Sequence, residues 1–243
     1  MKIFITLGII ILFSVQSSAK LVSVYVAGSM KETFEEIKNE YQKVNAGIDL
    51  KVTYGSSGKG FFQIKNGAEY DIFISADEKY PEEIYLNKLA FRKSEVYAKG
   101  GMAVLFKDKG FKSISDLERL KIVAIANPKL APYGKAAMEI MNNLNMIDKI
   151  KDKIVVGENL IQVIQYIETG NADAGFVAYP LVVNSKQFEE RFIKVDASLF
   201  SPIKQSMILT IFGENSKDAI KFYEFLRSAE VGNILKKYGF EVD

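Results

Sequence analysis

The chain has 243 residues, 48% hydrophobic and 26% charged, with 32 Lys and Arg against 30 Asp and Glu. A formal charge of +2 leaves no basic excess to hold a polyanion such as nucleic acid. Zero cysteines exclude disulfides, Cys-ligated zinc, a thiol nucleophile and a lipid-modified N-terminal Cys; zero histidines exclude a Ser-His-Asp triad, a His metal site and a His general base.

The chain opens on Met1-Lys2, runs through an almost wholly apolar stretch from Ile3 to Val15, and reaches the small residues Ser17-Ser18-Ala19. This is the pattern of a cleavable secretory signal peptide over residues 1–19, too short in its apolar part to serve as a permanent span. Leu21 to Val26 reads as a strand. Met30, Phe34, Ile37, Tyr41 and Val44 then recur at spacings of four and three, one apolar stripe of a helix. Strands are predicted over 50–53 and 71–75, with a helix over 58–66 between them. Strands over 102–106 and 122–126 precede a helix over 134–144, and a strand over 154–156 precedes a helix marked by Leu160, Val163, Ile164 and Ile167. Strands over 174–177 and 207–212 and helices over 217–227 and 230–238 complete the chain.

Strands separated by helices imply an α/β fold with mostly parallel sheets flanked by helices. Gly100-Gly101 and Ser201-Pro202 interrupt the pattern. We read them as crossings between two lobes, one of residues 20–99 and 206–243, the other of residues 100–205.

Four strand-to-helix junctions share one character: Ala27-Gly28-Ser29-Met30, Tyr54-Gly55-Ser56-Ser57-Gly58-Lys59-Gly60, Asn127 to Gly134, and Gly157-Glu158-Asn159-Leu160. Each brings small, hydroxyl or turn-forming residues to a helix start, where unpaired N–H groups and the helix dipole attract anions. In open α/β sheets such turns lie at the carboxyl ends of strands, where ligands bind. A plainer role stands beside each. Ser29 with Glu32 fits a capping box, Pro132 fits a first helical turn, and the Leu160 side chain suits a core. The glycines between Gly55 and Gly60 permit a close backbone approach. Lys59 and Lys135 either bias the local field or are solvated helix surface. No P-loop string occurs.

The same segments, with Gly67-Ala68-Glu69-Tyr70-Asp71-Ile72-Phe73-Ile74-Ser75-Ala76-Asp77, Asn127-Pro128-Lys129-Leu130-Ala131-Pro132-Tyr133-Gly134, Gly170 to Ala178 and Lys237-Tyr238-Gly239-Phe240, resemble the periplasmic molybdate-binding proteins of ABC importers over nearly the whole chain. The resemblance implies a two-lobed periplasmic binding protein fold with a tetrahedral oxyanion held in the cleft between lobes. It implies hydroxyl and N–H donors from Ser29 and Ser57, and backbone N–H donors from Tyr133 and Leu160. All four would contact the oxygens of the anion and not the metal itself. Some relatives add a Tyr hydroxyl from the strand ending at Ala178. Here Ala178 holds the aligned place and Tyr179 follows it, so these two are further candidates.

The function implied is that of an extracytoplasmic receptor for molybdate and tungstate, without a cofactor. It would act as a monomer in the periplasm and deliver to an ABC permease in the inner membrane. A receptor for sulfate or another tetrahedral oxyanion is the neighbouring alternative. The alternative from another class is a hydrolase using Ser57 with Lys59 as base, which requires Lys59 to be buried with its amine at the Ser57 hydroxyl.

Overall fold

The architecture grows from central strands that are buried on both faces. In the computed structural model, which describes residues 20–242, β1 (Lys20–Ala27), β2 (Ile48–Gly55), β3 (Ile72–Ser75), β4 (Glu95–Gly100) and β10 (Ile203–Leu209) form one sheet in the order β2-β1-β3-β10-β4. The second sheet contains β5 (Met102–Phe106), β6 (Val123–Ala126), β7 (Ile154–Gly157), β8 (Ala174–Ala178) and β9 (Phe192–Lys194), in the order β7-β6-β8-β5-β9. The signal peptide expected over residues 1–19 lies outside the described residues.

Alternation along the first sheet sends side chains to two separate cores. Val22, Val24 and Val26 join Ile72, Ile74, Met207 and Leu209 on one face. They pack under α1 (Lys31–Val44), α8 (Lys217–Leu226) and α9 (Ala229–Lys237). Tyr25, Phe73 and Ile208 face the other way, toward α2 (Ser57–Lys65) and α3 (Lys79–Leu86). In the second sheet β5, β6 and β8 are buried throughout and read as unbroken apolar runs, as strands covered on both sides do. Around it lie α4 (Pro132–Asn143), the short α5 (Ile147–Ile150) and α6 (Leu160–Glu168); α7 (Ile211–Glu214) belongs to the first lobe.

The expected two-lobed α/β fold is the one observed, with one refinement. In each sheet two pairings are parallel and two antiparallel. The antiparallel pairings come from the strands next to the crossings, β10 and β5. The chain leaves the first sheet at Gly100 and enters the second at Met102. It returns by Ile203, which already pairs with Gly100, three residues before position 206.

Several elements escaped sequence periodicity for identifiable reasons. Glu95 and Lys99 disguise β4, and the buried polar residues Gln205 and Ser206 break the apolar pattern of β10. The expected strand over 207–212 stops at Leu209 because Thr210 accepts N–H groups of Phe212 and Gly213 and starts α7. The stripe of α1 is buried through Tyr41, but Val44, at the helix end, is 80% exposed.

Two glycines of the 54–60 turn serve a side chain. A Cβ at Gly60 would stand 2.4 Å from Tyr25 Cε1 and 2.7 Å from Phe73 Cε2. A Cβ at Gly55 would stand 2.0 Å from the Tyr25 hydroxyl, which donates to Ser56 O at 3.0 Å. Gly60→Ala is therefore expected to destabilise the protein by about 1–3 kcal/mol despite the better helix propensity of Ala. Gly232→Ala, in α9 with its nearest neighbour 3.9 Å away, should be neutral or stabilising by up to about 1 kcal/mol. Denaturant titration of both variants checks the contrast; equal stability would show that the Tyr25 ring yields.

Candidate functional site

Three turns of the first lobe and two of the second meet around one small pocket. The first lobe contributes Ala27, Gly28 and Ser29 after β1, Gly55, Ser56 and Ser57 after β2, and Ala76 after β3. The second contributes Ala131, Pro132 and Tyr133 after β6, and Asn159 and Leu160 after β7. All these turns follow the carboxyl ends of parallel strands, because Ala27 pairs with Gly55, Val26 with Ile74, and Ala126 with Gly157. No lining residue carries a charge.

Ser29, Ser57, Tyr133 and Leu160, the four residues expected from sequence, are all brought together here. Ser29 is buried in a tight turn ahead of α1, and its hydroxyl donates weakly to Gln205 Oε1 at 3.4 Å. No side-chain capping bond forms at this helix start, so the capping-box reading of Ser29 with Glu32 does not apply. Ser57 begins α2. Its Oγ accepts the Ala76 N–H at 3.0 Å, which fixes the oxygen and leaves its proton free to donate.

Tyr133 is the second residue of α4, behind Pro132, which has no N–H, and Ala131, which has no capping side chain. The Tyr133 N–H therefore has no intrahelical acceptor. Its ring is buried, and a Cβ at Gly100 would lie 2.0 Å from its hydroxyl, so that hydroxyl points to the strand crossing. Burial pushes its pKa up. Leu160 is the first residue of α6. Asn159 Oδ1 takes the N–H groups of Ile161 and Gln162, and the Leu160 N–H is left without a helical partner.

Ala178 and Tyr179 are not brought to this pocket. Ala178 is wholly buried and pairs with Met102. Tyr179 turns outward. Its N–H donates to Gly101 O at 2.9 Å, its ring fills the notch left by Gly239, and Lys194 Nζ lies 4.7 Å from the ring centroid. Lys59 and Lys135 also stand outside. Lys59 is ion-paired with Glu158, and Lys135 reaches Glu139 at 3.7 Å; both lysines are largely solvated. With Lys59 half exposed and engaged by Glu158, and the Ser57 oxygen engaged by Ala76, the serine–lysine hydrolase arrangement is not formed. Asp77 follows Ala76 but lines an outer groove; burial raises its pKa against opposing bonds from Tyr80 N and Ser75 Oγ.

Periodicity gave no sign of how the lobes touch. Gly58 N–H donates to Leu130 O at 2.8 Å, and the Tyr80 hydroxyl to Lys129 O at 3.2 Å. These bonds, with the Lys59–Glu158 pair, form a seam beside the pocket. A Cβ at position 58 would meet Leu130 Cα and Cδ2 at 3.0 Å and the Tyr80 hydroxyl at 2.7 Å. Gly58→Ala is expected to part the seam. Under identical conditions its radius of gyration by small-angle scattering should exceed that of the wild type, with an unchanged circular dichroism spectrum. An equal radius would show that Leu130 moves aside instead.

The model of the bacterial extracellular solute-binding proteins matches residues 22–241. The molybdate-binding protein ModA of Rhodobacter capsulatus is 32% identical, over 96% of this chain and 93% of its own length. A putative ABC transporter substrate-binding lipoprotein of Bacillus subtilis, YvgL, is also 32% identical, over 91% of this chain and 86% of its own. Among solved structures, the periplasmic molybdate-binding protein of Azotobacter vinelandii superposes with a TM-score of 0.84 at 26% identity, covering 91% of this chain and 99% of that one. A pocket that gathers helix N-termini between two lobes, in a chain matched almost end to end, is a ligand-binding arrangement without catalytic machinery: the chain belongs to the bacterial extracellular solute-binding proteins and is a receptor, not an enzyme.

Proposed function

We propose that this protein is the extracytoplasmic receptor for molybdate, and for tungstate, of an ABC importer. In this reading residues 1–19 are removed on export to the periplasm, and the monomer carries the oxyanion to a permease in the inner membrane. The observation that carries it is the pocket's inventory: hydroxyls of Ser29 and Ser57 and unpartnered N–H groups of Tyr133 and Leu160, with no carboxylate in the lining.

A fully deprotonated dianion accepts hydrogen bonds and donates none. A site lined by neutral donors suits it, whereas a carboxylate would repel it. Phosphate keeps a proton near neutral pH and gains from an acceptor that this lining does not supply as a charged group. Four helix starts add the partial positive charge of their dipoles. Contacts from both lobes make binding and closure one event, since only contacts that differ between open and closed forms shift their balance.

Calorimetry of the protein against molybdate, tungstate, sulfate and phosphate tests this reading. Molybdate and tungstate are expected to bind one to one, with sulfate failing to compete at modest excess. Equal or tighter sulfate binding would assign the pocket to the smaller oxyanion instead. Ser57→Ala should weaken molybdate binding by about tenfold to a hundredfold, the worth of one hydrogen bond to a charged partner. Tyr179→Phe should lose less than about threefold. A tenfold loss in Tyr179→Phe would place that hydroxyl on the anion and contradict the outward orientation of its ring.

A further inference from the structure

Ser56 lines the pocket and is 4% exposed, yet its Oγ has no hydrogen-bond partner. Its backbone is held in place: the Ser56 carbonyl accepts from the Tyr25 hydroxyl at 3.0 Å and from Gly60 N at 3.1 Å. The residue occupies the N-cap position of α2 with extended backbone angles, where a serine oxygen ordinarily accepts an N–H of the first turn. It makes no such bond: the Gly58 N–H crosses the cleft to Leu130 O, and the Lys59 N–H does not cap it either. The seam between the lobes thus takes one of the two donors that a capping hydroxyl would use.

Leaving a buried hydroxyl unpaired is costly, and one in the wall of a pocket can recover that cost by bonding a ligand. Tyr133 also lines the pocket with an unpartnered hydroxyl, but its long ring carries that oxygen to Gly100, beside the Ser29 and Gln205 side chains. A serine oxygen lies one bond from Cβ and stays in the wall its own backbone forms. We infer that the Ser56 hydroxyl is a further donor to the bound anion, its proton committed to no acceptor of the protein. The inference rests on the oxyanion reading above and adds a third side-chain donor, adjacent to Ser57 and on the same turn. The Oγ–H donates to an anion oxygen; no bond is made or broken otherwise.

The test is molybdate titration by calorimetry of the wild type, Ser56→Ala, Ser56→Gly and Thr33→Val, with melting curves of each without ligand. Ser56→Gly removes the hydroxyl while keeping a favoured N-cap residue. Thr33 carries another buried, unpartnered hydroxyl that does not line the pocket. Both Ser56 variants are expected to bind about tenfold or more weakly, with ligand-free melting temperatures unchanged or raised, and Thr33→Val to bind as the wild type does. Ser56 variants that bind within about threefold of wild type would overturn the inference. So would tighter binding, which would mark the hydroxyl as a cap of the open form competing with Leu130 for the Gly58 N–H. An equal loss in Thr33→Val would overturn it too, by tracing the effect to packing. A wild type that binds neither molybdate nor tungstate overturns the proposed function and this inference together; a binding wild type with unaffected Ser56 variants overturns this inference alone.

Discussion

The site depends on the parallel pairing of β1 with β2 and β3 and of β6 with β7. Parallel neighbours end on the same edge of a sheet, so every following helix starts there with its first N–H groups unpaired. The in-register ends at Ala27 and Gly55, and at Ala126 and Gly157, place those helix starts side by side within each lobe. The two edges then face each other across the cleft. The antiparallel strands β4, β5 and β10 contribute little to the lining, but they carry the chain between sheets and so set the lobes opposite one another.

Electrostatics in this arrangement come from dipoles more than from formal charges. Lys59 sits closest in sequence to Ser57 among the cations, yet it is ion-paired with Glu158 across the rim and half in solvent. An exposed pair of that kind contributes little by itself. The neutral interior offers directed donors at fixed places, which in the proposed reading favour anions that need no acceptor in return. In that reading closure would add to this by removing water from the donors, which strengthens each bond to a charged ligand.

Three glycines serve two distinct uses in one seven-residue turn. Gly55 and Gly60 make room for the Tyr25 side chain, whose hydroxyl holds the Ser56 carbonyl. Gly58 lets the second lobe come close enough for a backbone hydrogen bond. The turn is thus anchored from below by the first lobe's core and met from above by the second lobe. Ser56 and Ser57 are held between these constraints.

The sequence by itself determined the alternation of strands and helices, the four polar turns, and the exclusion of His and Cys chemistry. These are local properties: apolar spacing of two or of three and four, and turn residues at helix starts, are written in adjacent positions. The junctions that hold Ser29, Ser57, Tyr133 and Leu160 were legible for that reason; the choice of these four residues came from the resemblance to the molybdate-binding proteins. Tertiary structure alone decided which donors remained free. The Ser57 oxygen is engaged by Ala76, the Lys59 amine by Glu158 and the Gly58 N–H by Leu130, partners far away along the chain. It decided too that Tyr179 leaves the pocket for the notch at Gly239, and that the Ser56 hydroxyl stays unpaired. An N–H or O–H has one proton to give, so its availability to a ligand is settled only when every segment that competes for it has been packed into place.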